Sequence, residues 1–254
     1  MSNTPEPSLT PAQEARLRDA LREANNLAFG YANALIVAAP PSVGGELHHG
    51  SGIILRIPEG HFLLTAEHVV RSWYERYPRE PAVMLHLRSP DGWRQFKAMD
   101  RLVFYDQSAD IAALRLRPDE AAETGTFIYE PATWPPPAPV LGEMVHIAGF
   151  PREGRIQLGP KKYEFRSMNL GVPVTHIAEP NFKCQLDRSQ WADLSKEVTG
   201  PPPELFDGMS GGPVMAMRGL VPVLLGTVSE HNPALDILII GRWSHVPREQ
   251  FAAA

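Results

Sequence analysis

Residues 206–214, Phe-Asp-Gly-Met-Ser-Gly-Gly-Pro-Val, surround one serine with three glycines. A serine hydroxyl that acts as a nucleophile must stand exposed while backbone N–H groups converge near it. The backbone angles that this arrangement requires favour glycine. The segment therefore predicts Ser210 as a nucleophile, with the N–H groups of Gly208 and Ser210 stabilising an oxyanion. A glycine-rich hairpin without chemistry is the alternative interpretation of this segment on its own.

Two upstream segments supply the partners that such a serine needs. Residues 61–70 form an apolar run that ends in Thr-Ala-Glu and then presents His68. Asp110 stands directly before the apolar run 111–116, and a carboxylate buried there needs a donor such as an imidazole N–H. We predict His68 as the general base and Asp110 as the residue that orients it. Asp100 and Asp106 are rivals, but neither leads straight into an apolar strand.

The rest of the chain is organised as two sets of short β-type runs, separated by Gly, Pro, Asp or Asn. One set spans residues 34–116 and includes a strand predicted over 96–103. The other spans 144–240 and includes a strand predicted over 162–168. The proline-rich stretch 130–139, EPATWPPPAP, cannot join a sheet interior. We therefore predict an all-β fold of two six-stranded antiparallel barrels, with a linker between them.

The predicted boundaries are a helical extension at 1–31, a first barrel at 32–129, a linker at 130–140 and a second barrel at 141–254. The helix is expected from about Thr10 to Ala28, because Thr10 can cap it and Pro11 suits the first helical position. It either packs on the outside of the domain that it precedes or serves as a docking or regulatory element.

The three motifs together resemble those of the chymotrypsin/trypsin-fold serine peptidases, closest to bacterial trypsin-like and HtrA-type members. They are TAEHVV at 65–70, DIAALRL at 110–116 and GMSGGPV at 208–214. The order His, Asp, Ser differs from the orders of the α/β-hydrolase and subtilisin folds. The resemblance implies an endopeptidase that cleaves protein or peptide substrates through an acyl-enzyme in a cleft between the barrels. It implies no metal and no cofactor, and the chain ends at Ala254, so we expect no PDZ domain.

The resemblance also implies substrate-binding positions. Residues 226–231 match the strand that pairs with the substrate backbone beside the primary pocket, which assigns Glu230 and His231 to substrate binding. Ser229 matches a position whose hydroxyl often supports the aspartate of the triad.

The specificity of the pocket stays open. Glu204, six residues before the nucleophile, matches the base of the pocket and would favour a basic side chain in the substrate. Leu205 and Phe206 would instead make an apolar pocket, and His231 would favour an acidic residue. The segment 190–204 is expected to be a lid or a passive insertion beside this pocket.

Composition limits the class of protein. The 254 residues carry 24 basic and 29 acidic side chains, a net charge of −5 that gives no basic field for nucleic acid or anionic lipid. The one cysteine, Cys184, allows no intramolecular disulfide and is expected to be a core residue. With no signal-like start and no apolar run long enough to span a bilayer, we expect a cytoplasmic bacterial protein without membrane contact.

Two other functions remain compatible with the sequence. One is a binding or scaffold module that kept the fold and lost turnover. The other is an effector protease that stays latent until a regulatory partner activates it.

Overall fold

The computed structural model describes residues 10–38, 47–76, 78–79, 84–96, 101–159, 162–190 and 206–252. The helices are α1 (Pro11–Tyr31), α2 (Glu67–Arg76) and α3 (Pro118–Glu123). The strands of the first half are β1 (Ala32–Ala38), β2 (Leu47–Ile57), β3 (Gly60–Thr65), β4 (Met84–Ser89), β5 (Gly92–Phe96), β6 (Leu102–Asp106), β7 (Ile111–Leu116) and β8 (Ile128–Tyr129). Those of the second half are β9 (Met144–Gly149), β10 (Arg155–Gly159), β11 (Lys162–Phe165), β12 (Met168–Pro173), β13 (His176–Ala178), β14 (Asn181–Gln185), β15 (Pro213–Arg218), β16 (Val221–Asn232) and β17 (Ile237–Arg242).

The strands form two curled sheets, one from each half of the chain. The first has the order β5-β4-β1-β2-β3-β7-β6, all antiparallel, with the short β8 added parallel to β2. The second has the order β12-β9-β15-β16-β17-β14-β13, also antiparallel, and β10 and β11 form a separate hairpin. Two curled antiparallel sheets with an N-terminal helix agree with a chymotrypsin-like double barrel, so the predicted fold class is confirmed.

Some strand boundaries were predicted wrongly. The run 96–103 is not one strand, since β5 ends at Phe96 and β6 begins at Leu102. The run 162–168 is likewise divided between β11 and β12. The two parts have different partners, because β11 pairs with β10 in the separate hairpin whereas β12 pairs with β9 at the edge of the second sheet.

Helix α1 begins as the sequence predicts. The Gln13 N–H donates to the Thr10 hydroxyl at 3.3 Å, and the Gln13 side chain in turn accepts from the Thr10 N–H at 2.8 Å, which completes a capping box. The helix packs chiefly on β9 and β12 of the second sheet, and its last turn contacts the first half, where Tyr31 packs edge-on against Tyr129 of β8. Polar as well as apolar contacts hold α1 on the second sheet, because Asn25 is buried there and bonds to His146 at 2.7 Å. The first half of α1 is exposed.

The two sheets share a buried core. One apolar cluster joins Leu55 and Phe62 of the first sheet to Leu224 and to Trp243, which follows the second sheet. A carboxy-terminal 3-10 helix, Arg248–Phe251, adds Phe251 to the same cluster. This shared core fixes the two halves against each other, which a site built from both of them requires.

Candidate active site

The predicted histidine and aspartate lie side by side at one edge of the first sheet. Thr65 at the end of β3 pairs with Ala112 near the start of β7, so the residues flanking these strand ends are brought together. The Nδ1 atom of His68 lies 2.8 Å from Oδ2 of Asp110, and the His68 backbone N–H donates to Oδ1 at 2.9 Å. Because a carboxylate only accepts, Nδ1 carries the proton, and Nε2 of the neutral ring is left free to accept one.

The rival aspartates have a different place. Asp106 accepts hydrogen bonds from the N–H groups of Ser108 and Ala109 at 2.8 and 3.2 Å, so its carboxylate closes the turn before β7. That turn ends at Asp110, whose φ of +53° lies in the left-handed region that aspartate tolerates better than most side chains. Asp100 lies outside the described residues.

Ser229 connects the aspartate to the predicted nucleophile. Its hydroxyl donates to Oδ2 of Asp110 at 2.7 Å, and its carbonyl accepts from the Ser210 hydroxyl at 3.1 Å. Ser229 lies in β16 of the second sheet, whereas Asp110 belongs to the first. One residue therefore bridges the two halves at the site.

The chain around Ser210 makes two successive tight turns. The Met209 N–H donates to the Phe206 carbonyl at 2.9 Å, and the Gly212 N–H donates to the Met209 carbonyl at 2.8 Å. The third residue of each turn is a glycine with positive φ, +89° at Gly208 and +85° at Gly211, as type II turns require. The glycines thus serve the backbone geometry expected of them.

These turns fix the direction of two backbone N–H groups. The carbonyl of Asp207 accepts from the Arg152 N–H at 2.5 Å, and the carbonyl of Met209 is held by Gly212. In a trans peptide the C=O and N–H point in opposite directions. The N–H groups of Gly208 and Ser210 therefore point away from these bonded carbonyls, and among the described residues neither has an acceptor.

A cleft of about 410 Å³ opens beside Ser210 and is lined on its other wall by His49 and Arg152. His48 and His49 both lie in strand β2; the His48 side chain is exposed, whereas His49 packs edge-on against Phe165 at 5.6 Å. Burial, with help from the charge of Arg155, lowers the pKa of His49 to about 4. His49 is therefore a neutral wall of the cleft near neutral pH.

The predicted substrate-binding residues lie in two kinds of surroundings. Glu230 is exposed on β16, but the His231 side chain is only 4% exposed, bonds to Asp236 at 3.1 Å and packs edge-on against Phe206. Arg188 also binds Asp236 and, more than His231 does, lowers its pKa. Glu204 and the segment 191–205 lie outside the described residues.

Three other features bear on function, namely the cysteine, metal ligands and membrane-spanning segments. Cys184 is fully buried in β14, where burial raises its pKa to about 12, so its prediction as a core residue is confirmed. Within the described ranges, no three His, Cys, Asp or Glu side chains gather as metal ligands would. In the same ranges every helix is too short or too polar to cross a membrane.

Comparison with known proteins identifies the family and agrees with the fold. The family model of the trypsin-like peptidase domain matches residues 50–221, more than half of the chain. No curated protein matches. Among solved structures, the chain is similar to the Rv3671c protease from M. tuberculosis in its active form, with a TM-score of 0.51, 18% identity, and coverage of 100% of this chain and 93% of that one. It is also similar to a catalytically inactive tobacco etch virus protease complexed with substrate, with a TM-score of 0.50, 14% identity, and coverage of 89% and 82%.

Proposed function

Since the chain belongs to the trypsin-like peptidase family, we propose that it is a serine endopeptidase with Ser210 as nucleophile, His68 as general base and Asp110 as the orienting carboxylate. A peptidase of this family acts on protein or peptide substrates. The observation that carries the finer assignment is the pair of bonds made by Ser229, which link Asp110 to Ser210 across the two sheets. A serine in a merely structural turn has no reason to share a bridge with a histidine-bound carboxylate.

The first step is attack on the peptide carbonyl. The Ser210 hydroxyl turns from the Ser229 carbonyl, to which it donates in this structure, and transfers its proton to Nε2 of His68 while its oxygen bonds to the carbonyl carbon. Asp110 accepts the Nδ1–H of the same ring, which keeps the useful tautomer and stabilises the imidazolium that forms. His68 is 46% exposed at its side chain and Asp110 only 17%, so the ring faces the substrate while the carboxylate is shielded.

The developing oxyanion is stabilised by the N–H groups of Gly208 and Ser210. Removing one such donor in other enzymes costs about 10²–10³-fold in kcat. The imidazolium then gives its proton to the leaving amine, and an acyl-enzyme on Ser210 remains. Water, activated by the same imidazole, releases the acid and restores the hydroxyl.

The test is covalent labelling with a fluorophosphonate, which reacts only with an activated serine. We expect the wild type to be labelled at Ser210 with loss of fluoride, and Ser210→Ala to be unlabelled. Ser108→Ala is a matched control, because the Ser108 hydroxyl donates to Asp106 within its own turn at 2.7 Å. The proposal is supported if the wild type and Ser108→Ala are labelled and Ser210→Ala is not. An unlabelled wild type would contradict it.

The same experiment separates the remaining functions. A labelled wild type that cleaves unfolded casein unaided is a constitutive enzyme. Labelling without casein cleavage favours the latent effector protease. A wild type that is neither labelled nor able to cleave casein favours a scaffold. The substrate-binding roles of Glu204, Ser229, Glu230 and His231 and a cytoplasmic location are also proposals, based on the motifs and on the single cysteine.

A further inference from the structure

Ser51, in the middle of β2, directs both its backbone N–H and its hydroxyl towards the segments that surround Ser210. It is fully buried, and its backbone N–H donates to the Ser210 carbonyl at 2.7 Å. Its hydroxyl donates to the Gly208 carbonyl at 2.9 Å and accepts from the Phe150 N–H at 3.0 Å. The direction of the first of these two bonds is fixed, because a carbonyl oxygen cannot donate.

These contacts hold the nucleophile turn on both sides of Ser210. The Gly208 carbonyl belongs to the peptide that lies between the two oxyanion donors, the N–H groups of Gly208 and Ser210. The Ser210 carbonyl belongs to the peptide that follows the nucleophile. Ser51 therefore restrains the peptide between the donors through its side chain and the peptide after them through its backbone.

The Ser51 hydroxyl also holds the segment 150–152, which supports the same oxyanion donors. The segment 150–152 is bonded to Ser51 at its first residue, through the Phe150 N–H. At its last residue, the Arg152 N–H holds the Asp207 carbonyl and so sets the direction of the Gly208 N–H. Loss of the Ser51 hydroxyl would free one end of this segment and the Gly208 carbonyl together.

Neighbouring backbone approaches Ser51 closely on two sides. A Cβ at Gly149 would lie 2.9 Å from the Ser51 oxygen, and a side chain at Gly211 would collide with the Ser51 carbonyl oxygen. Alanine at position 51 therefore leaves two buried polar groups, the Gly208 carbonyl and the Phe150 N–H, without the partner that they have now.

We propose that Ser51 is a positioning residue, which aligns the oxyanion-binding N–H groups of Gly208 and Ser210 through its hydroxyl. This inference rests on the proposed serine-peptidase function. It predicts that the hydroxyl acts on the transition state more than on substrate binding, because the oxyanion exists only after attack.

The test compares Ser51→Ala with wild type on a peptide substrate that spans a casein bond cleaved by the wild type. We expect kcat to fall about 10-fold to 100-fold while KM changes less than about threefold, and the rate of fluorophosphonate labelling to fall in parallel with kcat. Thr124→Val is the matched control, since Thr124 is buried and its hydroxyl bonds to the Ala121 carbonyl at 2.8 Å, away from the site. The control should lose stability but keep kcat.

A second readout does not depend on activity. Amide hydrogen exchange of the peptide that covers residues 206–212 should become faster in Ser51→Ala and stay at the wild-type rate in Thr124→Val. Wild-type kcat and unchanged exchange in Ser51→Ala would overturn the inference, and so would a loss that Thr124→Val reproduces. If the wild type itself is not labelled, the serine mechanism is wrong, whereas labelling that Ser51→Ala leaves unchanged contradicts the role of Ser51 alone.

Discussion

Asp106 and Asp110 are four residues apart in one turn, yet their carboxylates have different partners. Asp106 accepts from N–H groups of its own turn and lies 3.4 Å from Nε2 of His245, whereas Asp110 accepts from His68 and from Ser229. Asp110→Asn would present an amide to His68 Nδ1 and favour the wrong tautomer of the ring. We expect kcat/KM to fall about 10⁴-fold.

Asp106→Asn is the control for that change, because it removes the same charge from the same turn. It should keep kcat/KM within about threefold while lowering the free energy of unfolding by about 1 kcal/mol, through weaker acceptance from Ser108 and Ala109. Steady-state kinetics and urea unfolding check the pair. Equal losses of activity in both variants would mean that the turn, and not the carboxylate of Asp110, is what catalysis needs.

His49 makes stability depend on pH. Its pKa is about 4 in the folded protein, chiefly because it is buried, and about 6.5 in an unfolded chain. Between these two values the unfolded chain binds the extra proton, so the free energy of unfolding falls as the pH falls from about 6.5 towards 4. Burial lowers the pKa of His86 and His146 too, which adds to the trend.

The measurement is urea unfolding of the wild type and of His49→Gln at pH 7.5 and pH 5. The variant should lose less stability between the two pH values than the wild type does. His176→Gln, at an exposed position on β13, should behave as the wild type does. A variant that retains the whole pH dependence would assign it to other groups.

At the scale of the element, the two halves of α1 have different surroundings. Asn25 in the second half is buried and bonds to His146, whereas Leu17 in the first half is 50% exposed despite its apolar side chain. Asn25→Ala should lower the free energy of unfolding by about 1–3 kcal/mol, because it leaves a buried ring nitrogen unpaired. Leu17→Ala should change it by less than about 0.5 kcal/mol. Urea unfolding of both variants checks this, and a larger loss for Leu17→Ala would mean that the exposed half has a partner.

The elements also differ in how far the sequence determines them. The start of α1 and the strand β7 could be predicted from a cap and from alternation, which act between residues close in the chain. The partner of α1 could not, because burial of Asn25 depends on where the second sheet lies. The divided run at 162–168 was missed for the same reason, since its two parts pair with different strands, β10 and β9, which the sequence does not show.

At the scale of the whole molecule, the carboxy-terminal segment ties the second half to the first. Phe251 is fully buried and packs edge-on against Phe62 at 4.9 Å, and its carbonyl accepts from Arg115 of β7 at 2.9 Å. Phe251→Ala should lower the free energy of unfolding by about 3–5 kcal/mol, because it opens a cavity in the core that the two sheets share. Leu235→Ala, at a side chain that is 61% exposed, is the control and should be nearly neutral.

The candidate site follows the same division between local and long-range information. His68, Asp110 and Ser210 could be proposed from the sequence because each lies in a short motif with its own local geometry. Ser51 and Arg152 were missed, since their contacts to the nucleophile turn exist only once the two sheets are packed together. The one sequence signal for Ser51 is its place between Gly50 and Gly52.

The bond from the Ser51 N–H to the Ser210 carbonyl means that neither half of the chain holds a complete catalytic turn by itself. A cut between Ala132 and Thr133, two exposed residues of the proline-rich stretch, would leave the base on one fragment and the nucleophile on the other. Under the proposed mechanism each fragment would be inert, and turnover would return only on reassembly. We therefore expect that the chain can be divided into a two-part reporter of proximity, in which fusion partners that meet restore a measurable cleavage signal.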